Sequence, residues 1–170
     1  MWRVTGRAPV MNLLRLSAPT FRSDRAWRFD VPPSELWDRV AATEEYPAWW
    51  PWLERFRPVG GFSPGARWRC TVSPPLPYVL RFTVHLDEVD APNLVRAHVD
   101  GDIRGDAVLT VDAAPGGSTA RVRSALAPAN PLLRGVGTAM RPLVEWGHDW
   151  VLDTGRRQFV DRAFTVEGHG

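Results

Sequence analysis

The sequence predicts an α+β domain in which an antiparallel sheet of about six to seven strands precedes a long C-terminal helix. Apolar and polar residues alternate in several short segments, turn-forming residues separate these segments, and residues 131–164 have helical periodicity. The 170 residues are enough for one domain. We expect a single domain over 21–164, a flexible N-terminal arm over 1–20 and a disordered tail over 165–170.

The regular structure is expected to begin with a strand and two short helices. Residues 25–31 alternate apolar with polar side chains, which predicts a half-buried strand with Trp27 and Phe29 facing inward. Two prolines end this strand, and Ser34 is expected to cap the short helix that follows. A second short helix is expected to begin at Thr43 and to end at the next prolines.

The middle of the chain is expected to form the rest of the sheet. Strands are predicted over 53–58, 66–73, 78–88, 94–99, 107–111 and 119–126. The turn at 90–93 should pair the third and fourth of these strands. His85 would then face His98, and Asp87 would face Arg96, on the polar side. This cluster is interpreted as a solvated face, and no metal is expected, because a metal site needs three or four convergent ligands.

The C-terminal segment is expected to be helical. Pro142 lies inside it, and an interior proline removes one backbone hydrogen bond at a cost of about 3 kcal/mol. We therefore expect a short helix over 131–140 and a long one from about Arg141. One face of the long helix carries Met140, Val144, Gly147, His148, Val151 and Gly155 at 3.6-residue spacing. Trp146 lies on the opposite face and needs a cover, either the N-terminal arm or a second subunit in a homodimer.

Composition excludes several classes of function. The net charge is only +2, so no nucleic-acid partner is expected. All 21 basic residues are Arg, and without Lys no Schiff base can form on a side-chain amine. The single cysteine, Cys70, excludes an intrachain disulfide and fits a reducing compartment, so we expect a cytoplasmic protein. No apolar run approaches the ~18 residues of a membrane span, and no cofactor is expected because no cofactor-binding motif occurs.

The order of the predicted elements, together with several sequence segments, resembles a known superfamily. The segments are Trp27-Arg28-Phe29-Asp30-Val31-Pro32, Tyr46-Pro47-Ala48-Trp49-Trp50-Pro51-Trp52, Asn130-Pro131-Leu132-Leu133 and Arg141-Pro142-Leu143-Val144-Glu145-Trp146-Gly147-His148. They resemble the START-like or SRPBCC superfamily, in particular its polyketide cyclase/dehydrase-like branch. The resemblance covers about 21–164. It implies a helix-grip fold, in which a curved sheet wraps around the long helix and leaves an elongated cavity between them.

The chain contains nine tryptophans, an unusually large apolar surface for its size. We interpret the cluster at 49–52 as both core packing and part of a ligand cavity. The expected cavity wall consists of Trp49, Trp50, Trp52, Trp68, Cys70, Phe82, Val84, Leu109, Val122, Met140, Val144, Gly147, His148 and Val151. A buried, unreactive thiol is expected at Cys70.

His148 is the candidate catalytic residue. Its position on the inward face of the long helix points it at the sheet or into the cavity. Because an imidazole titrates near neutral pH, it could bond a ligand or act as a general acid or base. The alternative is a core histidine tied to a backbone carbonyl or a sheet side chain. Both interpretations remain open.

Three functions are compatible with these patterns. The first is a protein that binds a small hydrophobic ligand, aromatic, polyketide-like or lipid-like, between sheet and helix. The second is a cyclase/dehydratase-type (lyase-like) enzyme that acts mainly by positioning its substrate, with acid/base help from His148. The third is a protein-interaction module with a filled core. The almost wholly apolar cavity wall favours binding over catalysis.

Overall fold

The structure, a computed structural model, describes residues 20–134 and 141–164, with only the backbone described for 141–145. The expected flexible arm, apart from Thr20, and the expected tail lie outside these residues. The α+β prediction is confirmed, because one seven-stranded antiparallel sheet is followed by a long helix. None of the described helices is long and apolar enough to cross a membrane.

The sheet has the strand order β1-β7-β6-β5-β4-β3-β2. Its strands are β1 (Phe21–Phe29), β2 (Leu53–Val59), β3 (Arg67–Val72), β4 (Leu80–Asp90), β5 (Leu94–Gly101), β6 (Ile103–Ala114) and β7 (Gly117–Pro128). The helices are α1 (Pro33–Ala41), α2 (Tyr46–Trp49) and α3 (Arg141–Ala163), with a 3₁₀ turn at Thr43–Glu45 and helical residues at 131–134. Apart from β1 and β7, all neighbouring strands are also consecutive in the sequence.

The first strand is longer than predicted, and the first helix is capped differently. β1 begins at Phe21 and pairs with β7 along its whole length. The expected Ser34 cap is wrong, since α1 starts at Pro33, with Pro32 in the cap position. Proline suits the first helical position, because its φ is preset and its missing N–H would have had no helical partner. The Pro32 carbonyl accepts from the amide of Leu36 at 3.1 Å.

The β4–β5 hairpin confirms one cross-strand prediction and corrects another. His85 lies opposite His98, and their rings stack with centroids 4.4 Å apart. A β-bulge in β4 then shifts the register, so that Glu88, not Asp87, lies opposite Arg96 and binds it at 3.1 Å. The displaced Asp87 contacts Nδ1 of His98 at 2.8 Å. The described residues contain no group of three or more potential metal ligands.

Two glycines allow close approach where β5 and β6 turn. Gly101 and Gly105 have φ of 137° and 147°, a region that side chains other than glycine rarely adopt. A Cβ atom at Gly105 would lie 1.9 Å from the carbonyl oxygen of Ala125 in β7. The backbones of β6 and β7 therefore meet at this point with no room for a side chain.

The core fills one end of the space between the sheet and α3. Val111 on β6, Ala120 on β7 and Phe159 near the end of α3 are buried there. The ring of Phe159 packs edge-on against Phe29 and Trp49, with centroids 5.9 and 5.3 Å apart. The opposite end of the same concave surface, under the first half of α3, is not filled in this way.

Candidate ligand-binding cavity

A cavity of about 360 Å³ lies at that opposite end. One wall is the first half of α3, from Gly147 to Leu152, and the other comes from the inward faces of the strands. One strand can contribute to both regions: β6 contributes Val111 to the core and Ala107 to the cavity. The cavity is thus the part of the sheet–helix interface where large side chains no longer meet.

The described wall carries no Asp, Glu or Arg side chain. Its polar atoms belong to two tyrosines, one serine, one histidine, one cysteine and three tryptophans: Tyr46, Tyr78, Ser124, His148, Cys70, Trp50, Trp52 and Trp68. All other wall residues are apolar. What the cavity offers to a ligand therefore depends on which of these few polar atoms are already bonded.

The indole N–H groups of Trp50 and Trp52 are bonded to α3. Nε1 of Trp50 donates to the carbonyl of Gly155, and Nε1 of Trp52 donates to Oε1 of Gln158, both at 2.9 Å. Gly155 permits this approach, because a Cβ atom there would lie 3.3 Å from the Trp52 ring. Both rings therefore turn their carbon faces to the cavity.

The polar atoms of Trp68 and Tyr46 are also satisfied by the protein. Nε1 of Trp68 donates to the carbonyl of Gly61 at 2.7 Å. The Tyr46 hydroxyl donates to the carbonyl of Val40, and burial raises the pKa of this phenol, so it stays neutral. These two rings thus add apolar surface and no free donor.

Cys70 is a buried, neutral thiol. Burial raises its pKa to about 12, and its Sγ lies 3.6 Å from the carbonyl of Trp68. A thiol with this pKa holds almost no thiolate at neutral pH, so it is a poor nucleophile.

His148 lies on the cavity wall with 24% of its side chain exposed. Burial lowers the pKa of the imidazole, and the Asp149 carboxylate partly opposes this shift. Asp149 is itself paired with Arg25 at 3.0 Å, and its oxygen lies 3.9 Å from Nδ1 of His148, beyond hydrogen-bond length. At neutral pH the ring is therefore uncharged and offers one donor and one acceptor.

The structure places most of the expected wall residues along the cavity: Trp50, Trp52, Trp68, Cys70, Phe82, Val122, Gly147, His148 and Val151. Three others pack in or against the core instead: Trp49, Val84 and Leu109. Trp49 is only 5% exposed and contacts Phe159, because α2 turns it toward the filled end. Met140 and the side chain of Val144 lie outside the described residues.

Sequence reasoning missed wall residues near the ends of β1 and β7. Phe21 lines the cavity, and so do Ser124 and Leu126. The signal was present, because continuing the alternation from Trp27 backwards in steps of two reaches Phe21. Tyr78, predicted to begin a strand, lies in the loop before β4 and lines the cavity.

Trp146 is exposed, as its position on the outer face of α3 predicted. Its side chain is 48% exposed, unusual for so large an apolar residue. It borders a shallow surface pocket with Trp27 and Trp150.

A family model described as polyketide cyclase/dehydrase and lipid transport matches residues 20–159. The match includes every described residue of the cavity wall. No curated protein is significantly similar to the chain in sequence.

Solved structures share the architecture at low sequence identity. A START superfamily protein from Mycobacterium smegmatis has a TM-score of 0.66 at 12% identity, over 85% of this chain and 98% of that chain. Norcoclaurine synthase from Thalictrum flavum, in complex with dopamine and hydroxybenzaldehyde, has a TM-score of 0.63 at 15% identity, over 99% of both chains. The di-domain ARO/CYC protein BexL from the BE-7585A biosynthetic pathway has a TM-score of 0.66 at 15% identity, over 89% of this chain and 51% of that chain. These likenesses confirm the helix-grip fold.

Proposed function

The chain belongs to the polyketide cyclase/dehydrase and lipid transport family, and on that premise we propose that it binds a small hydrophobic molecule between the sheet and α3. The observation that carries the proposal is the cavity of about 360 Å³ with its nearly apolar wall. Ligand sites typically have volumes of roughly 300–1,000 Å³ and mostly apolar linings with few polar groups. An aromatic, polyketide-like or lipid-like ligand fits this description.

The energetics set a lower bound on the size of the ligand. An aromatic ring that buries about 200 Å² gains roughly 5 kcal/mol, near the lower limit of what association costs. A single ring would thus bind weakly. Micromolar affinity needs about 8 kcal/mol in net terms, hence about 12 kcal/mol before the association cost and roughly 500 Å² of buried apolar surface. This is the area of two to three rings or of a chain of similar surface.

The test is to fill the cavity without touching the outer surface. N-phenyl-1-naphthylamine, an uncharged dye that fluoresces in apolar surroundings, should bind the full chain with one saturable site. Ala107→Trp places an indole in the cavity and should weaken dye binding at least tenfold. Because the space is hollow, this variant should also escape the ~1–3 kcal/mol penalty of overpacking a filled core.

Val108→Trp is the matched control, since the next residue of β6 faces the other side of the sheet. Its dye affinity should equal that of the unchanged chain. Equal dye binding in both variants, or a lack of saturable binding, would refute the proposal. The third function considered, an interaction module with a filled core, predicts no saturable dye binding. It also predicts severe destabilisation by Ala107→Trp.

Cyclase/dehydratase catalysis is the second candidate function, favoured by one observation. His148 lies on the wall as an uncharged imidazole, the state in which a general base accepts a proton. The cavity would fold a poly-ketone chain, and His148 would move a proton between carbon and oxygen. His148→Ala should then abolish turnover of a poly-β-ketone surrogate while leaving dye affinity and the melting temperature nearly unchanged. Turnover that survives the substitution excludes this role.

A further inference from the structure

Three polar side chains of the described wall make no hydrogen bond to a described residue: Tyr78, His148 and, on β7, Ser124. Tyr78 and His148 both lie at the first half of α3. The hydroxyl of Tyr78, in the loop before β4, has no hydrogen bond to any described residue, although the side chain lines the cavity. The imidazole of His148 makes no hydrogen bond to a described residue, and the Asp149 oxygen lies 3.9 Å from its Nδ1. In contrast, the indole N–H groups of Trp50 and Trp52 already donate hydrogen bonds to α3.

Gly147, the residue before His148, lets the Tyr78 hydroxyl lie against α3. A Cβ atom at Gly147 would lie 2.8 Å from the Tyr78 hydroxyl oxygen and 2.5 Å from Cδ1 of Leu76. Both side chains would have to move if residue 147 were any other amino acid. The lack of a side chain at residue 147 therefore allows the phenol this close to α3.

Both groups are uncharged at neutral pH. Burial raises the pKa of Tyr78 and lowers that of His148. Arg25, whose charge acts on His148, is already bound to Asp149 at 3.0 Å and lies outside the described cavity wall. A carboxylate at this end would lose its hydration, and the described wall offers it no countercharge, which is costly in an apolar cavity.

We propose that Tyr78 and His148 form a polar end of the cavity that binds one uncharged oxygen, a ketone or hydroxyl, of an otherwise apolar ligand. Gly147 is the residue that determines this specificity. The inference rests on the proposed function and narrows it, because it selects neutral oxygen-bearing molecules and rejects fatty-acid-like carboxylates. A hydrogen bond to a neutral oxygen contributes about 0.5–1.5 kcal/mol net, a preference of roughly 3- to 10-fold.

The experiment uses three competitors of nearly equal shape to displace N-phenyl-1-naphthylamine from the full chain. These are 2-ethylnaphthalene, 2-acetylnaphthalene and 2-naphthoate at neutral pH. The ketone should displace the dye at a 3- to 10-fold lower concentration than the hydrocarbon, and the carboxylate should be the weakest competitor. Tyr78→Phe should remove most of the preference for the ketone and leave displacement by the hydrocarbon unchanged. Gly147→Ala should reduce the same preference by displacing the phenol.

Ser124→Ala is the matched variant, because it removes the other wall hydroxyl, on β7. It should keep the preference for the ketone. The proposal is overturned if the preference is absent, if it depends on Ser124 and not on Tyr78, or if the carboxylate binds best. Failure of the proposed function looks different, because the dye would then not bind or would bind equally to Ala107→Trp. Melting temperatures of Tyr78→Phe and Gly147→Ala separate lost preference from lost folding.

Discussion

Gly105 is the position where one added methyl group should most disturb the sheet that shapes the cavity. Its φ of 147° strains any other residue by about 1–3 kcal/mol. A Cβ atom would also lie 1.9 Å from the Ala125 carbonyl oxygen, so β7 must move, at about 1–3 kcal/mol more. Gly105→Ala should therefore destabilise the fold by about 4 kcal/mol and lower Tm by roughly 8–16 °C.

Two other glycines separate the causes. Gly65 has a φ of 84° with open space around it, so Gly65→Ala should cost only about 1 kcal/mol. Gly117 has no such φ, but a Cβ atom there would lie 2.0 Å from the carbonyl oxygen of Phe29, so Gly117→Ala should cost about 2–3 kcal/mol. Urea unfolding at constant m-value measures all three. The reasoning is wrong if Gly105→Ala costs no more than Gly65→Ala.

Three further predictions concern single side chains. Cys70, with a pKa raised to about 12, should resist iodoacetamide at pH 8 in the folded protein and react after denaturation. Rapid labelling of the folded protein, detected by mass spectrometry, would contradict this. Because the pKa of His148 is lowered from 6.5, the free energy of unfolding should be highest above pH 6.5 and should decrease as the pH falls below that value. In urea titrations, His148→Gln should reduce this dependence on pH. If the exposed face of Trp146 joins two subunits, sedimentation should show a dimer that Trp146→Ser converts to monomer, whereas a monomer at all concentrations ends the homodimer proposal.

Strand identities could be predicted from the sequence because each strand carries its own alternation. Trp27 and Phe29 on β1, and Phe82 and Leu86 on β4, lie inward as the period of two requires. The bulge in β4 could not be predicted, since periodicity counts each residue as one step. That extra residue put Glu88 opposite Arg96 in place of the expected partner.

The limits of periodicity also explain why some residues were wrongly predicted to line the cavity. Alternation says which face of a strand a side chain occupies, but not whether that part of the face is filled. Phe82 and Val84 share one face of β4, yet only Phe82 lines the cavity. Trp49 and Trp50 are adjacent, and the turn of α2 sends one to the core and the other to the wall. Position along the sheet, a tertiary property, decides between the two outcomes.

The hollow persists because its largest side chains are held away from it. Trp50 and Trp52 could fill the space only by releasing their bonds to α3, each worth about 1 kcal/mol net, and leaving the freed indole N–H in an apolar cavity. Elsewhere the wall includes residues with little or no side chain, Ala107 on β6 and Gly147 on α3. Neither indole can turn into the gap without breaking its hydrogen bond to α3. The apolar cavity is therefore stabilised by polar bonds that point out of it, and a guest can bury the exposed ring faces without breaking any of them.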